Sequence, residues 1–503
     1  MEDKEAYLMR VLLFSMPDAF EHMPALAIRM PNGALTSLAG NVDPRHQVSV
    51  ADLILVYGRV RPTIEHLMQK LQPDVVGLSV MTFQRRTARQ VIQLVRSIRP
   101  SIQIVVGGYD PSLAPEEYSE GSPVPADFII RGEGEKTLEK LLHALENRLT
   151  FGHISGLSYR AGNHFCHNPD RPVARLEEIK PPNRKSRVLK GYTLLGKSVD
   201  VVETSRGCTY DCSFCSIIEM RGRNFHTYAL DRVLNDIRDA RDHGARTIFI
   251  VDDNIMLNVR RFQQLCQVII EAGLNDLEYI VQAMTSSVAK HGETLAPLMR
   301  QAGFRYAFLG IENIIDDDLK FLRAAAKNTR REPGGGRNNA TVQAIEQLHA
   351  NGIWVVGGLI VGNPGDTRES IEANLEFARH YVDWPYIQHP TPYPGTPMTR
   401  EFEARRLIAN RRVEEYDGTT AVVRTEHLEP EEIEFLRWRA ERWMKLRHFP
   451  KAFWHYPLFV LIHGKQMLAH TFRGSWRSLF GLEDERTSFA RYRKIRAAER
   501  NYL

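Results

Sequence analysis

The stretch ETSRGCTYDCSFC, residues 203–215, decides the fold of this chain, because it places three cysteines in the loop after a β-branched run. The three cysteines are Cys208, Cys212 and Cys215. Thiolates at this spacing suit an iron–sulfur cluster and zinc alike. Zinc needs a fourth ligand, and Asp211 and His226 are near in sequence, but a structural zinc site has no reason to follow the first strand of a barrel. The triplet therefore favours a cluster over zinc, and over core cysteines grouped by chance.

A series of strands and helices begins at this same place and continues to about residue 400. Its six β-rich runs leave room for a helix between each pair, and they read VDVVETS, RTIFIVDD, LEYIVQAM, RYAFLGIEN, IWVVGGLIVG and PYIQHPTPYPG. Six such units predict a partial (β/α)6 barrel of the TIM type rather than a closed barrel of eight. Loops at the carboxyl ends of barrel strands build active sites, so the cysteine loop lies where chemistry is expected.

The first part of the chain also alternates strands with helices, but in the manner of an open sheet. Its β-branched runs are Arg10–Met16, Val48–Val56, Val75–Val80, Ile102–Val106 and Phe128–Ile130. Amphipathic helices between them predict a doubly wound, Rossmann-like parallel sheet. Gly107 and Gly108 follow the fourth run, where they let the backbone approach a ligand at the carboxyl edge of the sheet.

These patterns predict an α/β protein in four parts. We expect a Rossmann-like domain over residues 1–150, a polar, proline-rich connector over 151–197, the barrel over 198–400 and a helical, basic and aromatic region over 401–503.

The composition predicts a protein of the cytoplasm. The chain has 503 residues, of which 43% are hydrophobic, and 66 Lys and Arg against 61 Asp and Glu. This nearly even balance implies no nucleic-acid partner. The start has neither a secretory signal nor a membrane-length apolar run. Five cysteines do not make a disulfide framework in so long a chain, and three of them fall within eight residues, so cluster or metal ligation in a reducing compartment is expected.

The cysteine motif, with Phe214 as the aromatic residue before the last cysteine, resembles the radical S-adenosylmethionine (SAM) superfamily. The resemblance implies that the three cysteines hold a [4Fe–4S] cluster whose fourth iron binds SAM. Reductive cleavage of SAM then gives a 5′-deoxyadenosyl radical. A reductase, flavodoxin or ferredoxin must supply the electron.

The resemblance also implies a SAM site at the ends of later strands. The residues so implied, together with Phe214, are Asp252, Asp253, Glu312, Gly358, Ile360 and Gly362. The segment VDDN departs from the Gly-Gly-Glu form usual in the superfamily, and either aspartate could instead cap the next helix.

The amino-terminal domain resembles the cobalamin-binding domain of one class within this superfamily, whose members include class B methyltransferases. The resemblance rests on GLSVM, GGYDPS and RGEGEKTL, and it implies that Ser79, Gly107 and Gly108 contact cobalamin. The Asp-x-His-x-x-Gly signature is absent, and Asp18 and His22 are spaced differently from it. A domain that has lost cobalamin, or that recognises substrate instead, therefore stays open.

Two cofactors of this kind predict methylation of an unactivated carbon. Cyclisation, ring contraction and carbon–carbon coupling are the alternatives within the family. A sensor that uses cobalamin or the cluster is the alternative from another class, but a sensor has no need of the Glu312 and Gly358–Gly362 features.

The last part of the chain suggests a class of substrate. From Phe435 onward 15 Lys and Arg stand against 5 Asp and Glu, interleaved with aromatic residues. This mixture suits a lipid headgroup boundary, a hydrophobic or lipid substrate and peripheral contact with a membrane. The alternative is a domain packed over the barrel, with an aromatic core and a solvated basic face and a small-molecule substrate.

Overall fold

Aliphatic runs form the strands of an amino-terminal sheet in the computed structural model, which describes residues 8–21, 24–331 and 337–503. His22 and Gly334–Gly336 lie outside the described residues. The elements of this part are β1 (Arg10–Ser15), β2 (Ile28–Arg29), α1 (Gly33–Asn41), β3 (Gln47–Asp52), α2 (Val60–Leu71), β4 (Val75–Ser79), α3 (Arg85–Ile98), β5 (Gln103–Gly107), α4 (Tyr109–Leu113), β6 (Phe128–Ile130) and α5 (Glu135–Asn147).

The sheet has the order β3-β1-β4-β5-β6 with all five strands parallel. Buried aliphatic clusters lie on both of its faces. The reversal of strand order beside β1 opens a crevice at the carboxyl edge, as in other doubly wound sheets. Ser79 and Gly107 are register partners there, at the ends of β4 and β5. The predicted Rossmann-like sheet is confirmed.

The connector extends both sheets of the protein. Its strands are β7 (Leu157–Ala161), β8 (His164–His167) and β9 (Thr193–Leu194). The hairpin of β7 and β8 continues the first sheet in antiparallel fashion. The strand β9 pairs with β2 on one side and with the first barrel strand on the other, so a piece of the amino-terminal segment closes the edge of the second sheet.

The barrel is a curved sheet of six parallel strands in chain order, β10-β13-β14-β15-β18-β19. Its elements are β10 (Lys197–Val202), β11 (Ser205–Arg206), α6 (Ser216–Arg221), β12 (His226–Thr227), α7 (Leu230–Asp242), β13 (Thr247–Ile250), α8 (Val259–Glu271), β14 (Glu278–Met284), α9 (Thr285–Gln301), β15 (Phe304–Glu312), α10 (Asp316–Phe321), α11 (Ala325–Asn328), β16 (Thr329–Arg331), β17 (Arg337–Asn339), α12 (Thr341–Ala350), β18 (Trp354–Ile360), α13 (Arg368–Tyr381), β19 (Trp384–Gln388) and α14 (Pro397–Ala404). The predicted partial barrel is confirmed.

Four helices make up the carboxyl-terminal part, namely α15 (Pro430–His455), α16 (Pro457–Thr471), α17 (Trp476–Leu479) and α18 (Glu485–Glu499). Phe435 and Trp438 of α15 form a small aromatic core with Phe489 and Tyr492 of α18. These aromatic residues therefore pack as a domain core, while Trp454 and Phe480 stay exposed. Among the described helices, none combines the length and the apolar character needed to cross a membrane.

Candidate functional site

The three cysteines line one cavity of about 220 Å³ at the carboxyl ends of the barrel strands. Their loop is fixed from several sides, because the backbone N–H of Gly207 donates to Asp253 and that of Ser213 to the carbonyl of Leu322. Gly207 has a φ of +90°, and a Cβ there would lie 2.4 Å from the carbonyl oxygen of Asn224, so only glycine fits.

Burial favours the neutral thiol at two of these cysteines. It raises the pKa of Cys212 to about 12 and that of Cys215 to about 11. Thiolates bind iron, so loading of the loop with iron has to release protons. Asn254 donates to the sulfur of Cys208 over 3.7 Å.

The zinc alternative finds no support in the placement of its two candidate ligands. Asp211 pairs with Arg223 at 2.9 Å, and His226 lies on β12, outside the cavity lining.

Glu312 faces the cysteines because β15 ends in a bulge. Gly310 pairs with Gly358 and Glu312 with Leu359, so two residues of β15 lie opposite one residue of β18. Glu312 itself has a φ of +60°, a conformation that costs a residue with a side chain about 1–2 kcal/mol. The bulge turns a buried carboxylate into the cavity.

Lys327 lies beside this carboxylate, and it was not predicted from the sequence as a residue of the site. Its ammonium donates to Glu312 at 2.7 Å. Burial opposes the charged form, yet Glu312 and Cys212 hold the pKa of Lys327 above its ordinary value. Lys327 lies in a short helix outside the barrel strands, and no spacing rule links it to the cysteine motif.

The other residues predicted to bind SAM divide into two groups. Those that line the cavity are Phe214, Asp253, Gly358 and Ile360. Asp252 instead accepts hydrogen bonds from Thr204 and Ser205 and is buried. Gly362 forms a turn with a φ of +102°, and its N–H donates to Asp366. Asp252 and Gly362 lie outside the cavity lining, where they support the loops around it.

A second cavity, of about 440 Å³, occupies the crevice of the first sheet. Ser79, Gly107 and Gly108 all line it. Gly108 has a φ of +104°, and a Cβ there would lie 2.8 Å from the carbonyl oxygen of Val80. Asn32 donates to the hydroxyl of Ser79. Glycine-rich backbone at a sheet edge gives a large planar ligand close access, so these residues fit a cobalamin site.

The motif RGEGE contacts the loop that carries the cysteines. Arg206, two residues before Cys208, donates to Glu135 at 2.7 Å and to Glu203 at 2.8 Å, and it lies 3.5 Å from Glu133. Arg206 and Glu135 are buried. One guanidinium thus joins the two predicted cofactor domains.

A third cavity, of about 420 Å³, lies inside the barrel and is mostly apolar, although Glu21, Lys445 and His470 are among the residues that line it. Its walls come from β14, β15, β18 and β19 and from the helices α15 and α16; they include Ile280, Tyr306, Trp354, Val356, Trp384, Phe459 and Met467. A cavity of this size suits a small organic molecule. Along each strand, the residues that line this cavity alternate with residues of the buried core. The apolar runs in the sequence therefore did not predict the cavity.

The three cavities share walls in pairs. The cysteine cavity shares Asp253 with the crevice, and it shares Gln282, Phe308 and Tyr386 with the apolar cavity. Met30 lines both the apolar cavity and the crevice. The space inside the barrel therefore borders both predicted cofactor sites.

Comparison with known families matches two parts of the chain. The model of the radical SAM superfamily matches residues 202–378. The model of the B12 binding domain matches residues 26–142. The first range holds the three cysteines and Glu312, and the second holds Ser79, Gly107 and Gly108.

Relatives cover most of the chain. An uncharacterized methyltransferase of Pyrococcus horikoshii is 27% identical over 429 residues, which are 85% of this chain and 90% of that protein. A hopanoid C-3 methylase of Methylococcus capsulatus is 27% identical over 331 residues, 65% of this chain and 60% of that protein. The structure of the cobalamin-dependent radical enzyme OxsB, with aqua-cobalamin and SAM bound, has a TM-score of 0.67 at 17% identity and covers 98% of this chain and 80% of OxsB. The fold is thus shared over nearly the whole chain.

Proposed function

Because the chain belongs to the radical SAM superfamily, in the class with a cobalamin-binding domain, we propose that it transfers a methyl group to an unactivated carbon of an apolar substrate. The chain is a radical SAM enzyme, and its cofactors are a [4Fe–4S] cluster, SAM and cobalamin. When bound, the cluster and SAM supply a 5′-deoxyadenosyl radical and cobalamin supplies the methyl group.

One observation carries the proposal: the apolar cavity shares walls with the cysteine cavity and with the crevice. A carbon held in the apolar cavity can face the group that removes hydrogen and the group that donates methyl. The mostly apolar walls exclude solvent and suit a carbon skeleton, which they can hold in one orientation. The hopanoid methylase among the relatives is named for methylation of a lipid, which supports an apolar substrate.

The proposed roles follow from the cavity linings. Cys208, Cys212 and Cys215 hold the cluster, with Phe214 packed beside it. Glu312 and Lys327 bind the charged groups of SAM, and Asp253, Gly358 and Ile360 shape the rest of its site. Ser79, Gly107 and Gly108 bind cobalamin. Asp252 and Gly362 act through the loops that they support.

The domain division is proposed as predicted: cobalamin within residues 1–150, a connector over 151–197, the radical barrel over 198–400 and a helical cover over 401–503. An electron donor such as a flavodoxin, a ferredoxin or a reductase completes the reaction, as radical SAM enzymes require. We also propose that the enzyme makes peripheral contact with a membrane, where an apolar substrate resides.

The proposal is tested with protein reconstituted anaerobically with iron, sulfide and cobalamin. SAM that carries a deuterated methyl group is supplied with reductant and a lipid extract. We expect 5′-deoxyadenosine, S-adenosylhomocysteine and an apolar product heavier by the labelled methyl. Formation of 5′-deoxyadenosine with label only in water-soluble products would refute an apolar substrate.

Filling the apolar cavity should block methylation without blocking SAM cleavage. Val356 lines this cavity, and Val356→Trp should lower methyl transfer by about 10–100-fold, because the indole occupies substrate space. Mass spectrometry of the labelled product measures the change, and 5′-deoxyadenosine formed without substrate should be unaltered. The conservative Val356→Ile is the control. Equal methyl transfer by both variants would place the substrate elsewhere.

Removing the charge of Glu312 should weaken SAM binding. Glu312→Gln leaves Lys327 buried without its carboxylate, and we expect the KM for SAM to rise about 10–100-fold. Glu278→Gln is the matched control, since Glu278 pairs with Lys197 at the opposite end of the barrel strands. Initial rates of 5′-deoxyadenosine formation measure both. An unchanged KM in Glu312→Gln would contradict the proposed role.

A further inference from the structure

The helix α16 has an exposed apolar face, which we call the α16 surface and define by Leu458, Leu461 and Ile462. These side chains are 72%, 70% and 68% exposed. They share one face because residues three and four apart are neighbours on a helix. Trp454, at the end of α15, is 81% exposed. Single exposed apolar residues are ordinary, but a group of large ones on one face marks an interaction site.

The opposite face of α16 forms a wall of the apolar cavity. Phe459, Val460, Met467 and Leu468 line that cavity. The helix is thus apolar on both sides, which is typical of a helix buried in protein or in lipid. Only the thickness of α16 separates the α16 surface from the proposed substrate.

The charge of the surrounding segment indicates what covers this surface. No Asp or Glu occurs between Glu441 and Glu483. Seven basic residues fall in that interval, namely Arg442, Lys445, Arg447, Lys451, Lys465, Arg473 and Arg477. Lys465 is exposed one turn beyond Leu461 and Ile462, on the same face. Of these seven, Arg447, Lys465 and Arg477 are exposed, whereas Arg442 and Arg473 are held in ion pairs with Glu485 and Glu21. An exposed lysine on an apolar helix face, in a segment without acidic residues, complements anionic headgroups over acyl chains.

We propose that the α16 surface docks the enzyme on the anionic face of a lipid membrane. A second copy of the chain is the less fitting occupant, because a symmetric contact through this surface would bring the exposed Lys465 of two copies together with no acidic residue in the segment to pair with them. The inference rests on the proposed function, because docking would bring the apolar cavity to a substrate dissolved in the bilayer. The docking itself requires no catalysis.

Sedimentation with lipid vesicles tests the docking. The full chain with its cofactors, without SAM, is mixed with vesicles of phosphatidylcholine alone or of equal parts phosphatidylcholine and phosphatidylglycerol. We expect binding to the mixed vesicles that weakens with salt, and weaker binding to phosphatidylcholine. Leu461→Gln/Ile462→Gln should lower the partition coefficient about 10–100-fold, since two apolar side chains no longer enter the acyl region.

Leu149→Gln is the matched control, because Leu149 is also an exposed leucine but lies after α5, and its vesicle binding should equal that of the wild type. Wild-type protein that stays in the supernatant, or a double variant that sediments like the wild type, would overturn the proposal. So would a dimer in vesicle-free solution that the double variant dissolves, since a second copy would then cover the surface. SAM cleavage, measured without vesicles, should be equal in all three proteins. If the wild-type protein binds the vesicles but transfers no methyl group to any lipid, the proposed function is contradicted and the docking proposal still stands.

Discussion

Cys212→Ala is expected to abolish SAM cleavage, with a loss of more than about 1,000-fold in 5′-deoxyadenosine formation. Cys212 is the most buried of the three cysteines that line the cavity, and the loop around it is fixed by Ser213. Loss of one thiolate leaves a second iron of the cluster without a protein ligand. The anaerobically reconstituted variant should carry little iron and lack the brown colour of the wild type, as seen by iron analysis and visible absorbance.

Two other cysteines provide the controls for this experiment. Cys166 lies on β8, far in sequence from the motif, and Cys266 is buried among the core residues of α8. Cys166→Ala should keep full iron content and activity. Cys266→Ala should lose some stability through the cavity that it leaves, but should keep the cluster. A Cys212→Ala protein with wild-type iron content would exclude the assigned ligand set.

The barrel and the cysteine loop could be predicted because both depend on local sequence. A β-branched run followed by three spaced cysteines indicates where the strand ends and predicts that the loop after it binds a cluster. The crevice was similarly predictable, since Ser79 and Gly107 each follow a clear strand and parallel register brings strand ends together. These signals are short in range and need no knowledge of packing.

The parts that were not predicted depend on contacts between distant residues. Glu135 and Arg206 are 71 residues apart, and nothing local indicates that they meet. Glu312 was predicted at the end of its strand, but the β-bulge that turns its side chain into the cavity was not. Lys327, which donates to Glu312, comes from a different element and was not predicted either. Asp252 was predicted to bind SAM or to cap a helix, and its hydrogen bonds from Thr204 and Ser205 of the cysteine loop were not foreseen. The sequence showed a basic and aromatic carboxyl-terminal region. Only the packing shows which of its apolar residues are exposed on the α16 surface and which form the aromatic core of α15 and α18.

Arg206→Leu is expected to cost about 3–5 kcal/mol of stability, because it leaves buried carboxylates without their guanidinium. Burial opposes the ionisation of Glu135, yet Arg206 holds the pKa of this carboxyl below its ordinary value. Without Arg206 that charge is uncompensated at the junction of the two cofactor domains. Since Gly132, Glu133 and Arg206 also line the crevice, cobalamin retention should fall with stability. Urea unfolding and the cobalamin absorbance of purified protein measure the two effects.

Two further variants separate the ion network from the simple loss of an arginine. Arg238→Leu removes a partly exposed arginine of α7, whose guanidinium donates, among the described residues, only to Asn235, and should change stability by less than about 0.5 kcal/mol. Glu135→Gln, added to Arg206→Leu, removes the unpaired buried charge and should restore part of the lost stability, because the two residues act as one unit. Unfolding of Arg206→Leu at the same urea concentration as Arg238→Leu would show that the network does not join the domains. Recovery in the double variant would instead show that the cysteine loop and the cobalamin domain are stabilised together, through a single guanidinium.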